Sequence, residues 1–516
     1  MGKGLLRLLL VTCLGMGGLQ MPWAVGADTA PPTLAPARLP SLGDGSEISL
    51  GEERRLGDSI MREILRDPDV IDDPVLAEYV GDIWQRLREA AKLRGELSPE
   101  LDEQFAWELM LIRDKSVNAF ALPGGYMGVH LGLIGVVSNQ DELASVMGHE
   151  LSHITQRHIA RMLTQQQQQS PLMLASMVLG LLAASRNPQA AQAMMVGGQA
   201  VAVQTQLNFS RDMEREADRV GYGVATQAGF EPAGFVSMFE KLLHAARLND
   251  SGGYPYLRSH PLTTERIADM QSRQQLLPPR SGPGLNEMQH SLLSARARVL
   301  AQPNVDALRF FSQDANSRHT TPTRQAAALY AGVLAESRLR DMERARQRLA
   351  ALTLLTQQDP VARELVQLLS AELSLASGQA QQAVAQLQAL PQRRTIQVLL
   401  AQARIATGLP EQGRLAAQDM QKFVSANARD RQAWDLLGPA LGLQGEALRS
   451  LRAQAEASAL RWEFVGALDR LKAAQELARQ RARAGTLSRS DEMEASIIDT
   501  RARMFQSARR EQMLQR

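Results

Sequence analysis

The sequence predicts two parts: an α+β region, mostly helical with a small sheet, and after it an all-α solenoid of helical repeats. Three observations carry this reading. The 516 residues exceed one ordinary domain. The composition changes at Pro278-Pro279-Arg280-Ser281-Gly282-Pro283-Gly284, a stretch punctuated as a linker. Beyond it the chain is helical in pattern and rich in Ala, Leu, Gln and Arg, with Gly378, Gly408 and Gly445 spaced 30 and 37 residues apart.

The expected order begins with a signal peptide over residues 1–27. Lys3 and Arg7 form a basic start, Leu8 to Leu19 a short apolar stretch, and Val25-Gly26-Ala27 a small-residue cleavage site before Asp28. The apolar stretch is too short for a membrane anchor. Cys13, the only cysteine, lies within it, and Thr12 before it makes a poor lipoprotein site. The mature chain then has neither a disulfide nor a thiol nucleophile. Removing Lys3 and Arg7 balances the 57 basic and 55 acidic residues, so charge gives no argument for nucleic acid or an anionic membrane.

Residues 28–277 hold the α+β region. Trp107, Leu109 and Leu111 alternate as in a half-buried strand, and Tyr126 to Ile134 reads as a second strand. Asp141 and Glu142 then place negative charge in the first turn of a helix whose buried stripe is Leu143, Val146, Met147, Leu151 and Ile154. This helix carries His149-Glu150-Leu151-Ser152-His153. Histidines four apart share a helix face and can reach one metal ion, and Glu150 between them suits a general base toward a metal-activated water. Gly148 costs about 1 kcal/mol of helix propensity relative to Ala, which makes sense where another element must come close.

Catalytic zinc takes three protein ligands and keeps an open position. The third is expected from Arg211-Asp212-Met213-Glu214-Arg215-Glu216-Ala217-Asp218. Glu214 and Asp218 share a face, with Ala217, Gly221 and Ala225 as a small-residue packing ridge. Glu214 is assigned as the ligand, and Asp218 as the acceptor that fixes a histidine tautomer. Glu216 points away, as the solvated alternative.

His149–His153 followed by E-x-x-A-D resembles the HtpX and CAAX-prenyl-protease group of gluzincin metallopeptidases. Three further segments are similar: Asn118-Ala119-Phe120 through Pro123-Gly124-Gly125-Tyr126, Ser210-Arg211, and Ser259-His260-Pro261 with Arg266. The resemblance spans roughly residues 50–275. It implies a zincin-type zinc endopeptidase with one Zn2+ per chain. It also implies an edge strand for extended substrate, with Asn118, Tyr126 and Gly128 on it, and a loop that brings His260 and Arg266 beside the zinc. Pro261 biases His260 toward extended backbone. We expect His260 to cap the fourth zinc position at rest; the rival role, for His260 or Arg266 with Tyr254 and Tyr256 as further candidates, is transition-state stabilisation.

After a linker at 278–289, residues 290–485 resemble tetratricopeptide repeats. Trp434-Asp435-Leu436-Leu437-Gly438 matches their W-x-x-L-G, with Leu441 where Tyr is usual. Such repeats bury a continuous core and offer a concave surface to a partner. The region is expected to be separable. Residues 486–516 read as a charged helical tail. Gln165 to Gln169 is polar, and Leu172 to Ala184 is an apolar tract too short to span a bilayer; it suits a lid, a buried helix or a peripheral membrane contact. His130, His158, His244, His290 and His319 read as core or surface residues.

A secreted peptidase of this group with such repeats is similar to periplasmic members in Gram-negative bacteria. That implies a chaperone-like factor that aids outer-membrane β-barrel proteins, degrades misassembled ones, and contacts the β-barrel assembly machinery and unfolded or stalled outer-membrane proteins. The alternative is a non-enzymatic repeat-based assembly factor with a silenced metal site.

Overall fold

A computed structural model describes residues 48–165, 210–247, 254–275 and 287–514. The signal peptide, Cys13, most of the linker and the apolar tract at 172–184 lie outside the described residues. The elements before the linker are α1 (Leu50–Ile64), β1 (Val70–Ile71), α2 (Pro74–Leu93), α3 (Pro99–Gln104), β2 (Glu108–Ile112), β3 (Ala119–Leu122) and β4 (Tyr126–His130), then α4 (Leu131–Val136), α5 (Gln140–Thr155), α6 (His158–Gln165), α7 (Arg211–Gln227), α8 (Ala233–Arg247), α9 (Tyr256–Ser259) and α10 (Thr264–Gln275).

Helix starts follow the side chains available. Ser49 and Glu52 form a capping box on α1. Asp73, Ser98, Asn139 and Ser210 accept first-turn amides of α2, α3, α5 and α7, satisfying donors that a helix leaves unpaired. Pro74 and Pro99 fall in first turns, where a missing N–H costs nothing.

The four strands among the described residues are ordered β1-β2-β4-β3, with β2 and β4 parallel and the outer pairs antiparallel. This corrects two expectations. The strand from Tyr126 ends at His130, and Leu131 to Val136 is helical. Every side chain from Tyr126 to His130 is buried, so its apolar run carries no alternation to mark an end. Tyr126 and Gly128 also do not lie on an edge, because β4 is bonded on both sides. Among the described residues the free edge nearest the helices is β3, with Phe120 opposite Gly128. Asn118 stands just before β3, its carbonyl accepting from His130 N.

Among the described residues twelve helices follow, from Glu287–Ala301 to Arg489–Leu514, each packing on its neighbours. Gly378, Gly408 and Gly445 all have positive φ just past helix ends, the left-handed position that glycine fills without strain. Trp434 is buried, and its Nε1 donates to the Ala428 carbonyl at 2.9 Å. The expected tail is a helix with Ile498, Ala502 and Phe505 buried against the preceding helices.

The repeats are joined to the α+β region through one hydrophobic core, which runs from Val75 to Ala403. Arg296, 3% exposed, donates to Asp73 on one side and Glu372 on the other, at 2.6–3.1 Å. Arg393 bridges Glu78 and Glu364. His290 meets the Tyr79 hydroxyl at 2.7 Å and the Val137 carbonyl at 2.8 Å. Trp462 packs against the small core around Ile60, Ile112 and Tyr126. The expectation of separability meets this seam: cutting the chain at the linker would expose apolar surface and unpaired buried charge on both sides.

Candidate metal centre

The site forms where α5 touches α7. A Cβ on Gly221 would stand 2.9 Å from the Gly148 carbonyl and from His149 N, and one on Gly148 would stand 3.3 Å from the Gly221 oxygen. Both glycines weaken their helices and permit the close crossing. That crossing sets Glu214 and Asp218 against His149 and His153, as their shared face predicted.

His149 Nε2 and His153 Nε2 are 3.0 Å apart. Glu214 Oε2 lies 3.6 Å from the first, and Oε1 lies 3.5 Å from the second. His260 Nδ1 joins them at 3.3 Å from His149 Nε2 and 2.9 Å from Glu214 Oε1. These four ligand atoms lie within 4.8 Å of one another, and all four residues are buried. Three imidazoles and one carboxylate are a donor set that suits zinc, and a tetrahedral shell with bonds of about 2.0–2.2 Å spaces its donors about 3.4 Å apart. The residues fit a metal ion.

Glu150 is fully buried beside the cluster. Its Oε2 accepts the backbone N–H of Ala121, in β3, at 3.0 Å, and its Oε1 lies 3.4 Å from His260 Nε2. Burial pushes its carboxyl above the ordinary range, against the pull of His260 and His149. Burial also opposes ionisation of Glu214, but His260, His149 and Arg266 outweigh it and hold this carboxyl low. The neighbouring carboxylates are thus tuned apart, the pattern expected of a base beside a ligand.

Asp218 Oδ1 lies 2.9 Å from His149 Nδ1, the expected orienting contact. Arg266 holds Asp218 with two bonds of 2.6 and 2.8 Å, and its Nη1 reaches Glu214 Oε2 and the Pro261 carbonyl at 2.8 Å. With its donors committed this way, Arg266 acts as a clamp on the acidic helix, which weighs against a transition-state role. His260 stacks on the Tyr256 ring at 4.6 Å.

Two residues read as unremarkable sit against the site. His158 is buried with its Nδ1 2.9 Å from His153 Nδ1 and its Nε2 3.1 Å from Glu216 Oε2. Glu216, expected in solvent, also accepts from Arg161 at 2.9 Å. The short break after α5, at left-handed Arg157, folds α6 back and brings His158 there. His130 and His290 are buried core residues with polar partners, as expected.

Comparison with known proteins agrees with this geometry. Residues 78–274 match peptidase family M48. Over 471 residues the chain is 29% identical to the β-barrel assembly-enhancing protease of Escherichia coli, covering 90% of this chain and 91% of that protein. It is 36% identical over 270 residues to the putative β-barrel assembly-enhancing protease of Vibrio cholerae, covering 52% and 53% of the two chains. It is 28% identical over 201 residues to the mitochondrial metalloendopeptidase OMA1 of Saccharomyces cerevisiae, covering 38% and 55%. Residues 78–274 thus carry a peptidase M48 domain, and the chain is a metallopeptidase.

Proposed function

We propose that this metallopeptidase is a zinc-dependent endopeptidase of the periplasm. It promotes assembly of outer-membrane β-barrel proteins and degrades those that misassemble. The observation that carries the chemistry is the buried convergence of His149, His153, Glu214 and His260 with Glu150 against them. The substrate class is supported by similarity to the β-barrel assembly-enhancing proteases along 90% of the chain.

His149, His153 and Glu214 would hold zinc, which when bound would activate water and polarise the scissile carbonyl. Glu150 takes the proton from the attacking water and passes it to the leaving amine. Its burial-raised carboxyl moves toward working pH, where a general base serves best. Substrate adds as an extended strand on β3, through main-chain hydrogen bonds. The repeats recruit the assembly machinery and stalled barrels.

His260 would cap the metal at rest. It stands between the ligands and Glu150, in the space the nucleophile needs, and it is 3% exposed. Its loop position makes it easier to displace than a helix-borne ligand.

Glu150→Gln should keep fold and zinc and lose about 10²–10⁴-fold in cleavage of an unfolded protein in vitro, with matching loss on a misassembled barrel in cells. Cleavage at the wild-type rate would overturn the mechanism. His260→Ala should raise basal proteolysis and self-cleavage. Abolished cleavage would instead make His260 a transition-state stabiliser.

A further inference from the structure

The two histidines of α5 are oriented by different means. His149 Nδ1 faces a carboxylate directly, Asp218 Oδ1 at 2.9 Å. His153 Nδ1 faces another imidazole, His158 Nδ1 at 2.9 Å. Two like nitrogens at that separation bond only if one carries the proton and the other does not.

The rest of the chain of contacts decides which. His158 Nε2 lies 3.1 Å from Glu216 Oε2, and Arg161 Nη1 lies 2.9 Å from the same oxygen. A carboxylate paired with arginine accepts and does not donate, so the His158 proton belongs on Nε2. That leaves a lone pair on His158 Nδ1, and the shared proton belongs to His153 Nδ1. His153 Nε2 is then bare and points at Glu214 and His149 Nε2. The backbone is arranged for this contact. Arg157 has φ +53°, a left-handed turn that ends α5 and starts α6 with His158 over His153. Arg157 is tied by Nε to Glu53 Oε2 at 2.9 Å.

We infer that Arg161, Glu216 and His158 form a relay that fixes the tautomer of His153 and so sets the metal affinity of the site. It rests on the metal-centre reading above. These are positioning residues, acting through His153.

The test is zinc affinity of the full-length protein by chelator competition, with melting of the zinc-free form alongside. His158→Leu fills the space but cannot accept, and should weaken zinc binding about 10–100-fold, the usual cost of a lost outer-shell partner. His158→Asn places an amide oxygen where Nδ1 stood, accepts from His153 Nδ1–H, and should recover most of that loss. Glu216→Ala, at a half-buried position, should weaken zinc while leaving zinc-free melting unchanged, and serves where a His158 variant does not fold. Wild-type affinity in both His158→Leu and Glu216→Ala overturns the relay. So does an equal loss in His158→Leu and His158→Asn that tracks zinc-free melting, which would mean packing alone. Wild-type protein that binds no zinc, with His149→Ala indistinguishable from it, defeats the metal reading and the relay with it.

Discussion

Two buried polar networks in this protein differ in what they lack. At the seam, Arg296 lies between Asp73 and Glu372, and its guanidinium meets both carboxylates. At the centre, three imidazoles and a carboxylate crowd their acceptor-capable atoms into one small space. The seam closes on itself: both carboxylates are bonded to the one guanidinium, and Arg338 lies within electrostatic reach of all three. The centre is balanced when a cation sits among its donors. A buried polar cluster that closes on itself holds structure together, and one that converges on a point is built for a ligand.

The contrast can be broken by exchanging the expected effects. The largest is Glu214→Gln, which removes the charge of the proposed carboxylate ligand. Zinc affinity should fall at least about 100-fold, beyond the upper end of outer-shell losses, as read by chelator competition. If Glu214→Gln binds zinc normally and Glu216→Gln does not, the ligand assignment is wrong.

Next is Arg296→Met, which strands Asp73 and Glu372 in the seam. Removing one partner of a buried ion pair costs about 3–5 kcal/mol, so denaturant unfolding should show a loss of that order. Zinc affinity of the folded fraction should stay unchanged. A variant as stable as wild type would show that the seam contributes little.

The smallest effect is the pH response of His290. Burial lowers its pKa below 6.5, although the Val137 carbonyl and Glu142 oppose the shift. The folded state therefore binds its proton less readily than the unfolded chain. Its contribution is fully present above pH 6.5 and is lost as pH falls through the lowered value. Melting of the zinc-free protein should decline over that window, and His290→Gln should decline less steeply. Equal slopes would remove His290 from the account.

What was legible in the sequence follows from the range over which each signal acts. His149, Glu150 and His153 declare themselves because helical spacing alone puts them on adjoining faces. Glu214 and Asp218 were found by the same rule, and Gly148 and Gly221 signalled the close crossing. His260 and Arg266 came from resemblance, since no local period points to a loop residue. His158 was passed over because a one-helix rule places a residue five positions on away from the metal face, and the left-handed Arg157 breaks that helix. β3 was not read as the edge because Ala119–Leu122 is short and lacks alternation. The seam was invisible for a similar reason. Arg296 reads as one charge on an amphipathic helix, and its partner Asp73 is 223 residues away.

The most direct test of the central claim is zinc K-edge X-ray absorption on the full-length protein, wild type beside His260→Ala. The account expects a first shell of three imidazole nitrogens and one carboxylate oxygen in wild type. In His260→Ala one imidazole should leave the shell while proteolysis rises. A wild-type shell with fewer than three imidazoles, or one that His260→Ala leaves unchanged, would contradict it.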